Sequence, residues 1–325
     1  MAPVLLTCAA LLAAVLSSPA LAYETDQISE RLADLEDSER LADAKVAEWL
    51  RFALDRTNEQ TRCTASVEST RRVLARTIYD RLAFPTYVKG RGELAGLGYG
   101  AFAAWLETDP RVDRRMVEDD VDIYDRLRPR DSLVLGTVGI CSTIKLGGVL
   151  MGTDKPDHFW AQGYEYLLAS REGRAEERAL RWGVASERGR YGLATSGVFS
   201  YADLAANWAG YQFYKGLLGE ESPMQLGEDG CVVERRPFQW AEWLDDAVDE
   251  ALNPPIYRKS VGEAVRAQLE VERDALCSAY AEWGPEAAAR RDAIAGQDAL
   301  LAPQAPARVD EWRLDSLCGG TAGAR

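Results

Sequence analysis

Histidine is almost missing from this sequence: His158 is the only one in 325 residues. Zinc sites built on two or three histidines, HExxH among them, are therefore excluded, and any Ser-His-Asp or Cys-His group would have to use His158. No two cysteines stand in CxxC spacing, which removes zinc ribbons and thioredoxin-like redox motifs. There is no G-x-S-x-G nucleophile elbow. Positive charge is in deficit, with 38 Lys and Arg against 52 Asp and Glu and a formal net charge of −14. Such a surface repels phosphate backbones, and no basic patch offsets it, so nucleic acid is not an expected partner. Long apolar runs are scarce. Past residue 22 none reaches the ~20 residues a bilayer span requires; Ser132–Ile144 comes nearest, and Lys145 ends it.

The N-terminus is different. Ala9–Leu16 is uninterrupted apolar sequence, and Ala20-Leu21-Ala22 is a small-x-small exit, which together read as a secretory signal at 1–22 cleaved before Tyr23. The expected location is outside the cytoplasm, periplasmic or extracellular, with no membrane span in the mature chain. A hydrophobic content of 47% is ample for a full core. Five cysteines remain after cleavage: Cys63, Cys141, Cys231, Cys277 and Cys318. In an oxidising compartment they are expected to form two disulfides and leave one over, in any of fifteen arrangements.

Periodicity points to a mainly α protein, a single multi-helix domain with a short irregular or β-containing segment near 117–150. The spacing predicts a helix pair or kinked helix over Asp26–Gln60, interrupted at Asp37-Ser38, and helices over Cys63–Phe84 and Ala101–Glu107. Gly90–Gly100 reads as a glycine-rich turn. Further helices are expected at Asp154–Ser170, Ala175–Arg188, Ser200–Leu218, Pro237–Leu252 and Val261–Trp283. The corresponding organisation is a leader at 1–22, an N-terminal helical extension at 23–60, a main helical domain at 61–285 and a loosely packed tail at 286–325, which Cys318 could pin to the body.

Two segments carry the chemistry-bearing residues. One is Gly152-Thr153-Asp154-Lys155-Pro156-Asp157-His158-Phe159; the other runs from Gly197 through Ser200, Asp203 and Asn207 to Gly210. Helical spacing puts Asp203, Asn207 and Gly210 on one face of the second helix. If that face meets the helix of His158, the one imidazole faces an Asp and an Asn, and Gly210 lets the backbones approach. Asn207 sits mid-helix among alanines, where Asn is roughly 0.6 kcal/mol worse than Ala. A tertiary hydrogen bond contributing about 1 kcal/mol offsets that, so a partner for Asn207 is expected.

Several chemistries fit this constellation. Asp203 could orient His158 as a general base toward water, with Lys155 or Asn207 stabilising an oxyanion. Asp154, Asp157, His158 and Asp203, aided by Asn207, could hold a divalent cation, though no cofactor is required. Cys141 could pair with His158 as a nucleophile, but a disulfide is the simpler expectation for it. Against all of these stands a structural reading: Asp154 as an N-cap, Ser200 and Asp203 as a capping box, and His158 as a satisfied core residue. Trp160, Tyr164, Tyr201, Trp208, Tyr211 and Tyr214, followed by Trp240 and Trp243, could present faces to a glycan, but their spacing is equally that of a helical core.

Asp154-Lys155-x-x-His158-Phe159 followed by Ser200-x-x-Asp203-Leu204-x-Ala206-Asn207-x-x-Gly210 resembles the paired motif of VanZ-like and YfiM-like envelope proteins. The resemblance implies an envelope role and that Asp154, Lys155, His158, Ser200, Asp203, Asn207 and Gly210 form one unit. A membrane-embedded role does not carry over, because the helices here bear Asp157, Glu165, Arg171 and Lys215. The functional expectation is an exported envelope protein with a polar His/Asp/Asn site between two helices. It would act as a hydrolase on an envelope glycan or lipid through His158 and Asp203, or as a non-catalytic glycan-binding or structural module.

Overall fold

A computed structural model describes residues 24–83, 85–86, 99–118, 120–132, 134–135, 140–295, 305–306 and 314–319. The leader expected at 1–22 and nearly all of the glycine-rich turn expected at 90–100 lie outside them. The protein is mainly helical, with small antiparallel sheets.

The first helix pair is α1 (Glu39–Thr61) and α2 (Val67–Leu82). Val46, Trp49, Leu50 and Ala53 recur at helical spacing on α1 and are buried with Leu74, Ile78 and Leu82 of α2. Ser66 caps α2, its side chain accepting from the Ser69 N–H. After the paired residues β1 (Pro85–Thr86) and β2 (Tyr99–Gly100), α3 (Ala101–Thr108) leads to a three-stranded meander: β3 (Arg114–Arg115), β4 (Thr143–Leu146) and β5 (Val149–Gly152). Its tight turn is Gly147-Gly148, both at positive φ (61° and 80°), as a two-residue hairpin turn of this hand requires. This is the β-containing part of the expected 117–150 segment.

The chain then turns directly from β5 into a composite helix made of α4 (Asp154–Asp157), a π-helical stretch (His158–Gln162) and α5 (Gly163–Ala169). Next come α6 (Glu176–Arg188), β6 (Val198–Phe199) and α7 (Tyr201–Gly216). The composite helix packs along α7. The hairpin of β7 (Met224–Leu226) and β8 (Val232–Glu234) follows, then β9 (Ile256–Tyr257), which pairs with β6. Helices α8 (Lys259–Val271), α9 (Arg273–Ala295) and α10 (Leu314–Gly319) end the described chain.

Three local expectations do not hold. Residues 26–36 are not helical, because the Asp26 carboxylate accepts the N–H groups of Ile28 (2.8 Å), Ser29 (2.9 Å) and Ile123 (3.0 Å), a local turn that outcompetes the helix. Glu24–Ser29 are buried, and α1 belongs to the principal core. Pro237–Leu252 forms two short 3-10 turns, Trp240–Glu242 and Asp246–Val248, instead of a helix. Phe238 and Trp240 both enter the core, and a spacing of two cannot be satisfied on one helical face. Finally, Val261–Trp283 is divided between α8 and α9, with Glu272 between them.

Cysteine pairing resolves the fifteen arrangements to Cys63–Cys231 and Cys277–Cys318, with Cys141 free and buried. The first bond ties the end of α1 to the β7–β8 hairpin; the second pins α10 to α9, as expected for the tail. Most of the aromatic residues singled out are core, while Trp208 and Trp243 are half-buried against it. Phe159, Trp160, Phe213, Phe238 and Trp240 form an edge-to-face cluster with centroids 4.7 to 5.8 Å apart for most neighbouring pairs, and Tyr211 and Tyr214 are fully buried beside it. Rings so placed have no free face for a sugar.

Candidate functional site

The two motif segments meet. The closest approach is backbone to backbone: a Cβ on Gly210 would lie 2.0 Å from the Phe159 carbonyl oxygen, and one on Gly163 would lie 2.5 Å from the Gly210 carbonyl carbon. Gly210 thus has the role its spacing suggested, while Gly163, its counterpart on the facing helix, had no motif to announce it. The contact falls on the π-helical stretch, whose extra residue per turn rotates His158 relative to an ordinary α-helix.

Around this contact the polar side chains close on one another. Lys155 has no solvent exposure, and its Nζ donates to Asp154 Oδ2 (2.6 Å) and Glu250 Oε1 (2.7 Å) while standing 2.7 Å from Asp203 Oδ1. The second Asp203 oxygen lies 3.2 Å from His158 Nε2. On the other side of the ring, Nδ1 is 2.9 Å from Asn207 Oδ1, which is the partner expected for that mid-helix asparagine. Asp203, Ser200, Asn207, Asp154 and His158 are all buried, none more than 5% exposed.

The capping readings are half right. Ser200 does cap α7, its hydroxyl accepting the Asp203 N–H (3.1 Å), and it also donates to Glu250 Oε1 (3.1 Å). The return half of the box comes from Glu187, whose Oε1 accepts the Ser200 N–H (3.1 Å). Asp203 is thereby released to face Lys155 and His158. Asp154 is not the cap of its helix either; its carboxylate is taken up by Lys155 and by the Thr25 hydroxyl (3.1 Å). Asp157 points elsewhere, accepting the Gly100 N–H (3.1 Å), so it stands apart from the group of Asp154, His158 and Asp203, whose potential ligand atoms lie within 4.8 Å of one another. Cys141 meets Thr25 Oγ1 (2.7 Å) and Asp154 Oδ1 (3.5 Å). Burial and the nearby Asp154 push its thiol well up, which is unfavourable for a nucleophilic thiolate.

Glu24, Glu187 and Glu250 complete the cluster, and sequence reasoning missed all three. None lies in a motif segment: Glu24 is the second residue after the expected cleavage site, and Glu187 and Glu250 look like ordinary acidic positions on charged stretches. Burial drives each of them upward, Glu250 to about 7 and the other two well above the ordinary carboxyl value, with Asp203 contributing in every case. Burial also pushes Asp203 up, but His158 and Lys155 outweigh it, and its net shift is down. Lys155 goes up despite burial because Asp154, Asp203 and Glu250 surround it.

These shifts set a pH dependence. Asp157 is raised from 3.8 to about 6 by burial, and Glu250 from 4.5 to about 7. Between the unfolded and folded values the native state holds more protons than the unfolded chain, so their contribution is complete below the unfolded values and disappears as pH rises through the folded ones. The lowered Asp203 acts oppositely and penalises only the acid side, as pH falls below 3.8. Thermal unfolding followed across this range should show a higher midpoint near pH 5 than near pH 8; a midpoint that climbs steadily over that interval contradicts the arrangement.

Comparison with family models, with curated proteins and with solved structures finds no match to this chain.

Proposed function

We propose that this is an exported envelope protein in which the buried His158–Asp203–Asn207–Lys155 cluster is a non-catalytic lock joining the composite helix to α7. One observation carries the reading: both ring nitrogens of His158 face protein acceptors, so neither is open to take a proton from a water. Lys155 likewise directs its ammonium at three carboxylates and has no exposed surface from which to meet a substrate. Export is supported by the leader-like residues 1–22 and by two disulfides, which persist in oxidising compartments. No helix among the described residues is long and apolar enough to cross a membrane. The likeness to VanZ-like and YfiM-like proteins fits the same proposal, the shared element being the paired-helix unit.

The competing reading is a hydrolase acting on an envelope glycan or lipid, with His158 as base and Asp203 as its orienting partner. A buried carboxylate beside an imidazole favours it; the absence of a free ring nitrogen weighs against it. Since the chain has one histidine, ¹⁵N-histidine labelling of protein carrying a histidine-free tag reports this imidazole alone. In chelator-treated protein the lock predicts ring-nitrogen signals whose protons are slow to exchange with water. A bare nitrogen in rapid exchange with solvent would place the hydrolase first.

A further inference from the structure

We propose that the cluster contains a binding site for a divalent first-row metal ion of the zinc or manganese type, with Asp154, His158 and Asp203 as its ligands. This rests on the lock described above and adds an ion to it. The donor atoms of the three side chains lie within 4.8 Å of one another. Ligand atoms around one tetrahedral ion stand roughly 3.4 Å apart for bonds of about 2.1 Å, so the site closes with side-chain movements of the order of 1 Å.

The surroundings fit a ligand set in three further respects. First, the Asn207 oxygen holds His158 Nδ1 at 2.9 Å and aims Nε2 at Asp203, which is how a metal-bound imidazole is oriented by an acceptor behind it. Second, both Asp203 oxygens are buried, one 2.7 Å from Lys155 Nζ and the other 3.2 Å from His158 Nε2. A carboxylate offers about four lone-pair sites, so these two contacts leave room on Asp203 for an ion. Third, acidic groups outnumber basic ones here among the described residues: Glu24, Asp154, Glu187, Asp203 and Glu250 lie around Lys155 and His158. An ion could be met by Asp154 Oδ1, which also accepts from the Thr25 hydroxyl (3.1 Å), and by Asp203 Oδ2 without moving the lysine, which holds Asp154 Oδ2 and lies 2.7 Å from Asp203 Oδ1.

The mixed imidazole and carboxylate donors select the ion class. Calcium and magnesium take oxygen ligands, whereas imidazole suits zinc and its neighbours. The test uses the exported protein with a histidine-free tag, stripped with chelator and titrated calorimetrically with ZnCl2, MnCl2 or CaCl2. ¹⁵N-histidine spectra are recorded on the zinc sample. The expected result is stoichiometric binding of zinc or manganese, with the Nε2 signal of His158 displaced. Affinity should fall by more than about tenfold in His158→Gln and stay close to wild type in Asp157→Asn, whose carboxylate lies outside the site. The proposal is overturned if neither zinc nor manganese binds stoichiometrically, if calcium alone binds, or if zinc binds while the imidazole signals stay in place. Stability of Asp203→Asn in chelator tests the lock separately. If that variant is destabilised while the wild type binds no metal, only the ion is lost; if it is as stable as wild type, the lock itself fails.

Discussion

Lys155→Met is expected to lose most of the protein's stability at pH 8 and to recover part of it at pH 5. The substitution keeps the length of the side chain and removes its charge. Three carboxylates, those of Asp154, Asp203 and Glu250, then face one another in a region without solvent. Removing one partner of a buried ion pair costs roughly 3–5 kcal/mol. Here one ammonium serves three acids, and a typical domain has only about 5–15 kcal/mol in total. Protonation is the variant's remaining route to neutrality. Glu250 is already raised to about 7 with the lysine present, and its loss can only raise the group further, since Lys155 is what holds it down. The deficit therefore shrinks as pH falls toward 5. Urea unfolding of wild type and variant at the two pH values measures this. A loss below about 1 kcal/mol at pH 8, or one independent of pH, would mean that Lys155 is not the counter-charge of this cluster.

What the sequence revealed, and what it hid, divides along physical lines. Amphipathic spacing identified α1, α2, α6 and α7, because each buries a stripe whose period is intrinsic to the helix. The pairing of His158 with Asn207 was legible for a similar reason: a polar residue at a helix position that disfavours it implies a compensating contact. Residues 26–36 misled because apolar residues at helical intervals, Ile28, Leu32 and Leu35, coincide with an Asp26 turn whose hydrogen bonds reach Ile123, far along the chain. Glu24 and Glu250 were not legible at all. Acidic residues are ordinarily solvated, and nothing local distinguishes one that tertiary contacts will bury. Ser200 and Asp203 show the intermediate case, since the capping pattern was real but Glu187 completes it, and that substitution frees Asp203 for the site.

Gly210→Ala should destabilise the protein although alanine is the better helix former. In an open helix the exchange stabilises by up to about 1 kcal/mol. At this position the new Cβ would stand 2.0 Å from the Phe159 oxygen and 2.7 Å from its carbonyl carbon, both backbone atoms that no side-chain rotation can withdraw. Relief requires the composite helix and α7 to separate. Overpacking alone costs typically 1–3 kcal/mol, and here the separation also stretches the Lys155–Asp203 and His158–Asn207 contacts, which span the same two helices. A net loss of about 3 kcal/mol or more is expected. Gly216, at the end of the same helix, is the internal control: a Cβ there meets nothing within 4 Å, so Gly216→Ala should be neutral or slightly stabilising. Denaturant midpoints of the two variants therefore move in opposite directions or by very different amounts. If they move alike, the helices do not approach at Gly210, and the contact that brings Lys155 and His158 to Asp203 is lost with it.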